Sequence, residues 1–536
     1  MSQNQLYYGD NLQILREEIR SESIDLVYLD PPFNSKASYS LLFKTPKGHK
    51  PQARITAFED TWHWGEQAER EFGELVRQPD TGVSEMMQSL RRFLGENDVM
   101  AYLTMMANRL LELHRVLKPT GSLYLHCDST ASHYLKIVLD SVFGKLRFLN
   151  EITWKRTTAH NDPKRYGRIA DRIFFYGKTP RKVFHPIGGE YSPEQLARYK
   201  HKEGDRYYRA ENLTAPHFSE TRTVDWRGAH PGATRQWRFG ADELESLYEK
   251  GRILLKKDGT PRKDGLKEYL DEAEGPALQD IWTDIVMGPT ADERLGYPTQ
   301  KPLALLERII HASSNEGDTV LDPFCGCGTA IHASEKLKRQ WIGIDITHLA
   351  ISLVEKRLND AFPAIAFEVH GAPKDIESAR DLFQRDKYEF QWWADTLVNA
   401  QPYKGKKNGA DGGIGGLIYF QDDKTLAKKI VVSVKGGDNV HAEMIRDLGH
   451  VVDREKASLG LFVTLAEPTR PMKEEAVKCG YYESPSGANF PKIQILTIEG
   501  LLNGVEQPRY PDLMRGGLTF KKAETELWEE QNELFR

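Results

Sequence analysis

The run Ile24-Asp25-Leu26-Val27-Tyr28-Leu29 is closed by Asp30-Pro31-Pro32-Phe33, and this junction constrains the fold more than any other stretch. Extended apolar residues make a strand. Two successive prolines can neither donate to a sheet ladder nor sit inside a helix, so the strand must stop there. The stop leaves one carboxylate, a rigid stretch poor in amide hydrogens, and one ring at a strand's C-terminal edge. Such residues can hold a flat, amine-bearing group. An ordinary strand-to-loop exit fits the same residues, so the junction alone does not decide function.

The 536 residues are too many for one core and imply two or three domains. With 39% hydrophobic and 28% charged residues, the composition is that of an ordinary soluble protein. No apolar stretch approaches the roughly 20 residues that span a bilayer. Met1-Ser-Gln-Asn-Gln lacks the basic and apolar regions of a signal peptide, so a cytoplasmic protein without membrane contact is expected. Cys127, Cys325, Cys327 and Cys479 are too scattered for a disulfide framework. Cys325-Gly-Cys327 has no second Cys or His pair at ligand spacing, and no metal is expected there. A net charge of −5 argues against a protein coated in positive charge, yet it leaves room for a local basic groove.

Residues 1–150 have an α/β pattern. Asp25–Leu29 and Ser122–His126 are strand-like, Val99–Leu117 and Asp128–Phe143 are helical, and Lys118-Pro-Thr-Gly121 is expected as a turn. Asn34–Asp98 is polar and weakly patterned, as expected of a lid or a decoration. From Ile152 to Gly240 there are 18 Lys and Arg against 9 Asp and Glu, with Trp154, Tyr166, Phe174, Tyr207, Trp226 and Trp237 interleaved. That mixture suits phosphate neutralisation and base contact, and a solvated basic surface fits it too. Residues 297–370 alternate helix and strand again, which predicts a parallel, doubly wound sheet.

Val320-Leu-Asp-Pro-Phe-Cys-Gly-Cys-Gly-Thr329 is a strand, a glycine turn and a helix start. Gly326 and Gly328 permit close backbone approach by a ligand, and the following helix offers free amides. Ile342-Gly-Ile-Asp345-Ile places an acid at the next strand's end, where a carboxylate takes ribose hydroxyls. The turn lacks the dinucleotide spacing and any Walker lysine, which disfavours NAD and ATP. Tight strand–helix packing would explain the glycines equally well, but it would not explain the acid.

Together these motifs resemble the amino-group DNA methyltransferases that use S-adenosyl-L-methionine. Asp30-Pro31-Pro32-Phe33 is similar to their catalytic motif, and Asp322-Pro323-Phe324-x-Gly326-x-Gly328-Thr329 to their cofactor loop. Tyr297-Pro-Thr299-Gln-Lys301-Pro302 resembles the segment that borders the cofactor, and Tyr8-Gly-Asp10 the motif whose acid contacts its adenine. The order of the motifs is that of the β class. The resemblance implies a Rossmann-like methyltransferase sheet built from residues 1–150 and 291–372, with a target-recognition region at 151–290. It further implies catalysis by Asp30, Pro31, Pro32 and Phe33, and cofactor contacts from Asp10, Thr299, Lys301, Pro302, Asp322, Pro323, Phe324, Gly326, Gly328, Thr329 and Asp345. The Asp at the first catalytic position points to adenine N6 rather than cytosine N4. Double-stranded DNA is the expected partner, with a homodimer and a restriction or defence protein as further possibilities.

Residues 385–505 resemble the Mrr-like branch of the PD-(D/E)XK nucleases, an α/β restriction-endonuclease-like fold. Glu389 matches the helix acid and Lys435 the strand lysine. The position of the metal-binding Asp is Gly415, the acid or Gln before the lysine is Ser433, and Asp411 lies four residues early. A hard cation needs oxygen ligands. The expectation is therefore a nuclease-like fold without cleavage, Mg²⁺ being required only if it cuts. The acidic tail, 506–536, pairs Leu527 and Trp528 with Leu534 and Phe535, as in a short amphipathic helix.

Overall fold

The computed structural model describes residues 4–32, 38–42, 54–59, 63–78, 81–158, 164, 166–273, 275–286, 293, 295, 297, 299–403, 413–422 and 427–511. Phe33, Asp411 and the tail helix expected around Trp528 lie outside the described residues. Contacts group Pro186–Gln279 as one unit and the chain on either side of it as the other.

The larger unit holds a nine-stranded sheet. Its strands are β1 (Asn4–Tyr8), β2 (Ile24–Leu29), β3 (Leu117–Cys127), β4 (Phe148–Lys155), β5 (Ala170–Gly177), β6 (Ile281–Trp282), β7 (Thr319–Asp322), β8 (Gln340–Asp345) and β9 (Phe367–His370). They lie in the order β6-β4-β5-β3-β2-β7-β8-β1-β9. From β3 to β9 all neighbours run parallel, while β5 is antiparallel to both β3 and β4. Every residue of β2 is buried, as expected of a central parallel strand covered on both faces. β2 pairs with β7 across almost the whole insertion, Leu26 opposite Val320. That pairing brings Asp30 and Asp322 to adjacent strand ends.

The helices of this part are α1 (Asn11–Glu17), α2 (Glu66–Arg77), α3 (Thr81–Leu94), α4 (Asp98–Val116), α5 (Ser132–Phe143), α6 (Leu303–Ser313), α7 (Thr329–Lys336) and α8 (His348–Ala361). Two expectations need correction. The weakly patterned Asn34–Asp98 contains α2 and α3, which bury Ala68, Phe72 and Leu75 and then Val83, Met87 and Leu90. These apolar residues are few but spaced i, i+4, i+7, and tertiary burial of that stripe outweighs the polar composition. The expected turn at Lys118–Gly121 belongs to β3 as a bulge. Ile24 pairs with Leu117 but Leu26 with Ser122, and Lys118 reaches back to Asp25 at 2.7 Å.

A second, five-stranded sheet follows, made of β10 (Gln401–Pro402), β11 (Gly416–Phe420), β12 (Lys428–Lys435), β13 (Leu459–Thr464) and β14 (Ile493–Thr497), in that order. It is antiparallel through β12 and parallel beyond. Around it lie α9 (Ile376–Arg385), α10 (Lys387–Leu397), α11 (Ala442–Arg454) and α12 (Arg470–Lys478). One face buries Phe390, Trp393, Val432 and Leu461, and the other buries Leu417, Val431, Ile445 and Phe462. Helix α10 also packs on α8, joining this sheet to the first.

The unit Pro186–Gln279 has its own core of Leu213, Trp226, Trp237, Leu244 and Ile253. Its antiparallel strands Ile253–Leu255, Pro261–Tyr269, Arg206–Glu211 and His201–Glu203 lie side by side. Several cations of this unit are paired with acids. Arg206 is bound to Asp271 at 2.8 Å, Arg227 to Glu245 at 2.7 Å and Lys267 to Glu203 at 2.7 Å. The tryptophans are core residues, whereas Tyr207 and Phe218 are exposed.

Candidate active site

The C-terminal ends of β1, β2, β7 and β8 surround a cavity of about 240 Å³. Strand pairing places them side by side, and each strand ends in an acid: Asp10 just past β1, Asp30 past β2, Asp322 and Asp345. From the sequence motifs, Asp10, Asp30, Pro31, Pro32, Thr299, Lys301, Asp322, Pro323, Phe324, Gly326, Thr329 and Asp345 all line this cavity. Pro302 is behind the wall as the residue before α6, and Gly328 packs against α8.

The four acids differ sharply. Asp10 caps α1 by accepting from the amides of Leu12 and Gln13 at 2.9 and 3.2 Å. Its second oxygen accepts from buried Arg109 at 2.8 Å, and Arg109 also donates to Asn11. Asn11 in turn donates to the Pro323 carbonyl at 2.7 Å, tying β1's exit to the glycine loop. Burial pushes the Asp322 carboxyl far above the ordinary range, and the charges of Asp30 and Asp345 push it further. Burial also raises Asp345, to about 6, against hydrogen bonds from Thr347 and the Gly326 amide. That amide lies 3.0 Å from Asp345 Oδ2, so the acid of β8 and the loop after β7 hold each other.

Gly328 adopts φ +74° at the start of α7, and a Cβ there would meet Val354 at 2.8 Å. Only glycine fits so close a helix approach. Gly326 lines the cavity together with Phe324, Cys325 and Cys327, while Gly328 lets α7 approach α8.

Asp30 carries the pocket's most conspicuous unmet valence. Its Oδ2 accepts a hydrogen bond from Lys301 Nζ, while Oδ1 is buried without a hydrogen-bond partner among the described residues. A buried carboxylate oxygen left open costs stability and marks a place for a donor.

Sequence reasoning missed several residues. Tyr28, two before Asp30, lines the cavity, and its hydroxyl lies 3.0 Å from His126 Nδ1. His126 Nε2 lies 3.1 Å from Asp171 Oδ2, and Arg156 pairs with the other oxygen at 3.4 Å. Burial opposes the charge on Asp171, but the His126 bond and the Arg156 charge outweigh it and hold its carboxyl below the usual value. An ionised Asp171 accepts from Nε2–H, so Nδ1 accepts from the Tyr28 hydroxyl. The residues come from β2, β3 and β5, and no local spacing could have connected them.

In the second sheet, Gly415 precedes β11 and its amide bonds the Val432 carbonyl at 2.7 Å, next to buried Ser433. A Cβ on Gly415 would meet Val432 O at 3.3 Å and Gln391 Nε2 at 3.4 Å. Lys435 ends β12, and Glu389 lies on α10, close enough for its charge to act on the Tyr8 hydroxyl of β1. Among the described residues, no group of three or more His, Cys, Asp or Glu could hold a metal. No described helix is long and apolar enough to cross a membrane.

Residues 24–356 match the family model for DNA methylase, and residues 382–489 match that for restriction endonuclease of the Mrr type. The Type II methyltransferase M.EcaI of Enterobacter cloacae is 32% identical over 261 residues, 48% of this chain and 57% of that protein. The Mod subunit of the Type III restriction-modification enzyme StyLTI, from Salmonella typhimurium, is 23% identical over 63% of this chain and 51% of its own length. M.HpaI, a Type II methyltransferase of Haemophilus parainfluenzae, is 28% identical over 56% of this chain and 74% of itself. The chain thus spans little more than half of the first two relatives. It belongs to the DNA methylase family, with a C-terminal domain of the Mrr restriction-endonuclease type.

Proposed function

We propose that the protein methylates the N6 amine of adenine in double-stranded DNA, at a specific site, as the modification arm of a restriction-modification or defence system. The observation that carries this reading is the buried Asp30 Oδ1, without a hydrogen-bond partner among the described residues, on a residue that lines one cavity with Pro31, the glycine loop and Asp345. The residues fit S-adenosylmethionine. The loop at Gly326, a strand-end acid for ribose hydroxyls and the Asp10 edge form a cradle for a nucleoside.

S-adenosylmethionine would supply an electrophilic methyl group. The chain supplies the acceptors. An exocyclic amine is a poor nucleophile because its lone pair is delocalised into the ring. Asp30 Oδ1 and the Pro31 carbonyl accept its two hydrogens, which favours a localised lone pair and stabilises the positive charge that develops on nitrogen. The base must leave the duplex to reach this cavity, and Phe33 is the ring offered for stacking on it. No covalent nucleophile is needed.

The C-terminal domain, by the same reading, keeps the nuclease fold for DNA or partner binding without cutting. Gly415 and Ser433 stand where metal ligands are required. Plasmid incubated with the protein and Mg²⁺ should stay intact, and site-dependent cleavage would replace this reading with a bifunctional enzyme.

Modification-sensitive sequencing of DNA from cells expressing the protein tests the main proposal. A methyl mark on adenine N6 at one recognition sequence, lost in Asp30→Ala, is expected. A mark on cytosine N4 overturns the base assignment, and no mark overturns the activity.

A further inference from the structure

We propose that Lys301 is the positioning residue of Asp30, and not a ligand of the cofactor. The inference rests on the methyltransferase reading above. A carboxylate that accepts one amine hydrogen must present one oxygen in one direction. Asp30 lies beyond the last residue of β2, where no ladder orients it, and two prolines follow. Among the described residues, the hydrogen bond from Lys301 Nζ to Oδ2 is what fixes the side chain.

Lys301 is suited to this. It is 8% exposed, so the ammonium cannot wander into solvent. Nζ also donates to the Thr299 carbonyl at 3.3 Å, and Pro302 anchors the next residue at the start of α6. One carboxylate oxygen is thus occupied, and the other is buried without a hydrogen-bond partner among the described residues. Because a carboxylate is planar, clamping Oδ2 sets the direction of Oδ1. The clamp comes from a segment far along the chain, so Asp30 is correctly aimed only when both halves of the sheet are assembled.

A displacement of about 1 Å in a reacting group costs on the order of 100-fold in rate. Lys301→Met keeps the length of the side chain and removes the donor. Lys301→Arg keeps a charged donor. Each variant, alone and combined with Asp30→Asn, is compared for S-adenosylmethionine affinity by calorimetry. Transfer of labelled methyl to DNA from a host without adenine methylation is then measured at saturating S-adenosylmethionine.

The expected result for Lys301→Met is a dissociation constant within about twofold of wild type and a transfer rate lower by about 100-fold. Lys301→Arg should recover part of the rate, and Lys301→Met should add no further loss in the Asp30→Asn background. Undisturbed cofactor binding also certifies that the variant is folded. A tenfold weaker affinity with an unchanged saturated rate would return Lys301 to the cofactor and overturn the assignment. So would a loss independent of the residue at position 30. A wild-type protein that binds S-adenosylmethionine and moves no methyl group overturns the functional reading itself, and this assignment with it.

Discussion

The two sheets carry their motif residues in different settings. In the first, parallel strands finish side by side with acids at or just past their ends; in the second, Gly415 precedes β11, and Ser433 lies within the antiparallel neighbour β12. The nine-stranded sheet puts four acids around a cavity that the glycine loop also lines, one of them with a buried oxygen that has no hydrogen-bond partner among the described residues. In the five-stranded sheet, the resemblance to the nucleases sets Gly415 and Ser433 at the positions of metal ligands, with Lys435 at that of the lysine. Strand topology positions a site, and the residues at the strand ends decide whether it is one.

The largest effect should come from Asp30→Ala, which removes the proposed amine acceptor. Methyl transfer should fall by about a thousandfold or more, while S-adenosylmethionine affinity holds within a few-fold. Lys435→Ala should leave transfer unchanged. Equal losses from the two variants, in a radiolabel assay, would erase the contrast between the sheets.

Glycines sharpen it next. Gly328→Ala forces a Cβ to 2.8 Å from Val354 at φ +74° and should cost about 2–4 kcal/mol together with cofactor affinity. Gly415→Ala meets nothing nearer than 3.3 Å and should cost under about 1 kcal/mol. Denaturant melts of both variants check this, and similar midpoints would mean that the loop after β7 is no tighter than the start of β11.

Asp171→Asn comes third, since Asn cannot accept from both His126 and Arg156 as the carboxylate does. A loss of about 2 kcal/mol is expected, with methyl transfer per folded molecule reduced only through the aim of Tyr28. Thermal unfolding measures it.

The pH dependence is smallest in practice. Asp345 rises to about 6 in the folded state from an unfolded value of 3.8, so the folded protein binds the proton more tightly. Its contribution to stability is fully present below about pH 4 and is lost as pH rises through 6, by about 3 kcal/mol at most. Above pH 6 the protein holds an ionised acid at a cost, which a ribose hydroxyl would offset. Comparing wild type with Asp345→Asn from pH 4.5 to 7.5 should show this slope in the first and not in the second. Parallel curves would assign the slope to other groups.

Much of the cavity was legible because its parts are short and local. A strand stopped by Pro31-Pro32, a glycine turn and an acid closing the next strand are each written within ten residues. What stayed hidden is non-local. Arg109 on α4 reaching Asp10, and His126 lying between Tyr28 and Asp171, join positions 45 to 99 residues apart. In the basic, aromatic insertion, pairing and burial were likewise hidden. Composition counts charges but cannot tell that Arg206 or Arg227 is already paired, or that Trp237 is core.

By itself, the sequence determined where strands stop, which turns must be glycine, and which carboxylates stand at strand ends, because backbone sterics act between neighbours. Tertiary structure decided that β2 and β7 lie side by side, that Asp30 meets Lys301, and that its other oxygen is buried with no hydrogen-bond partner among the described residues. These depend on packing two distant halves of the chain into one sheet, and no local rule reaches that far.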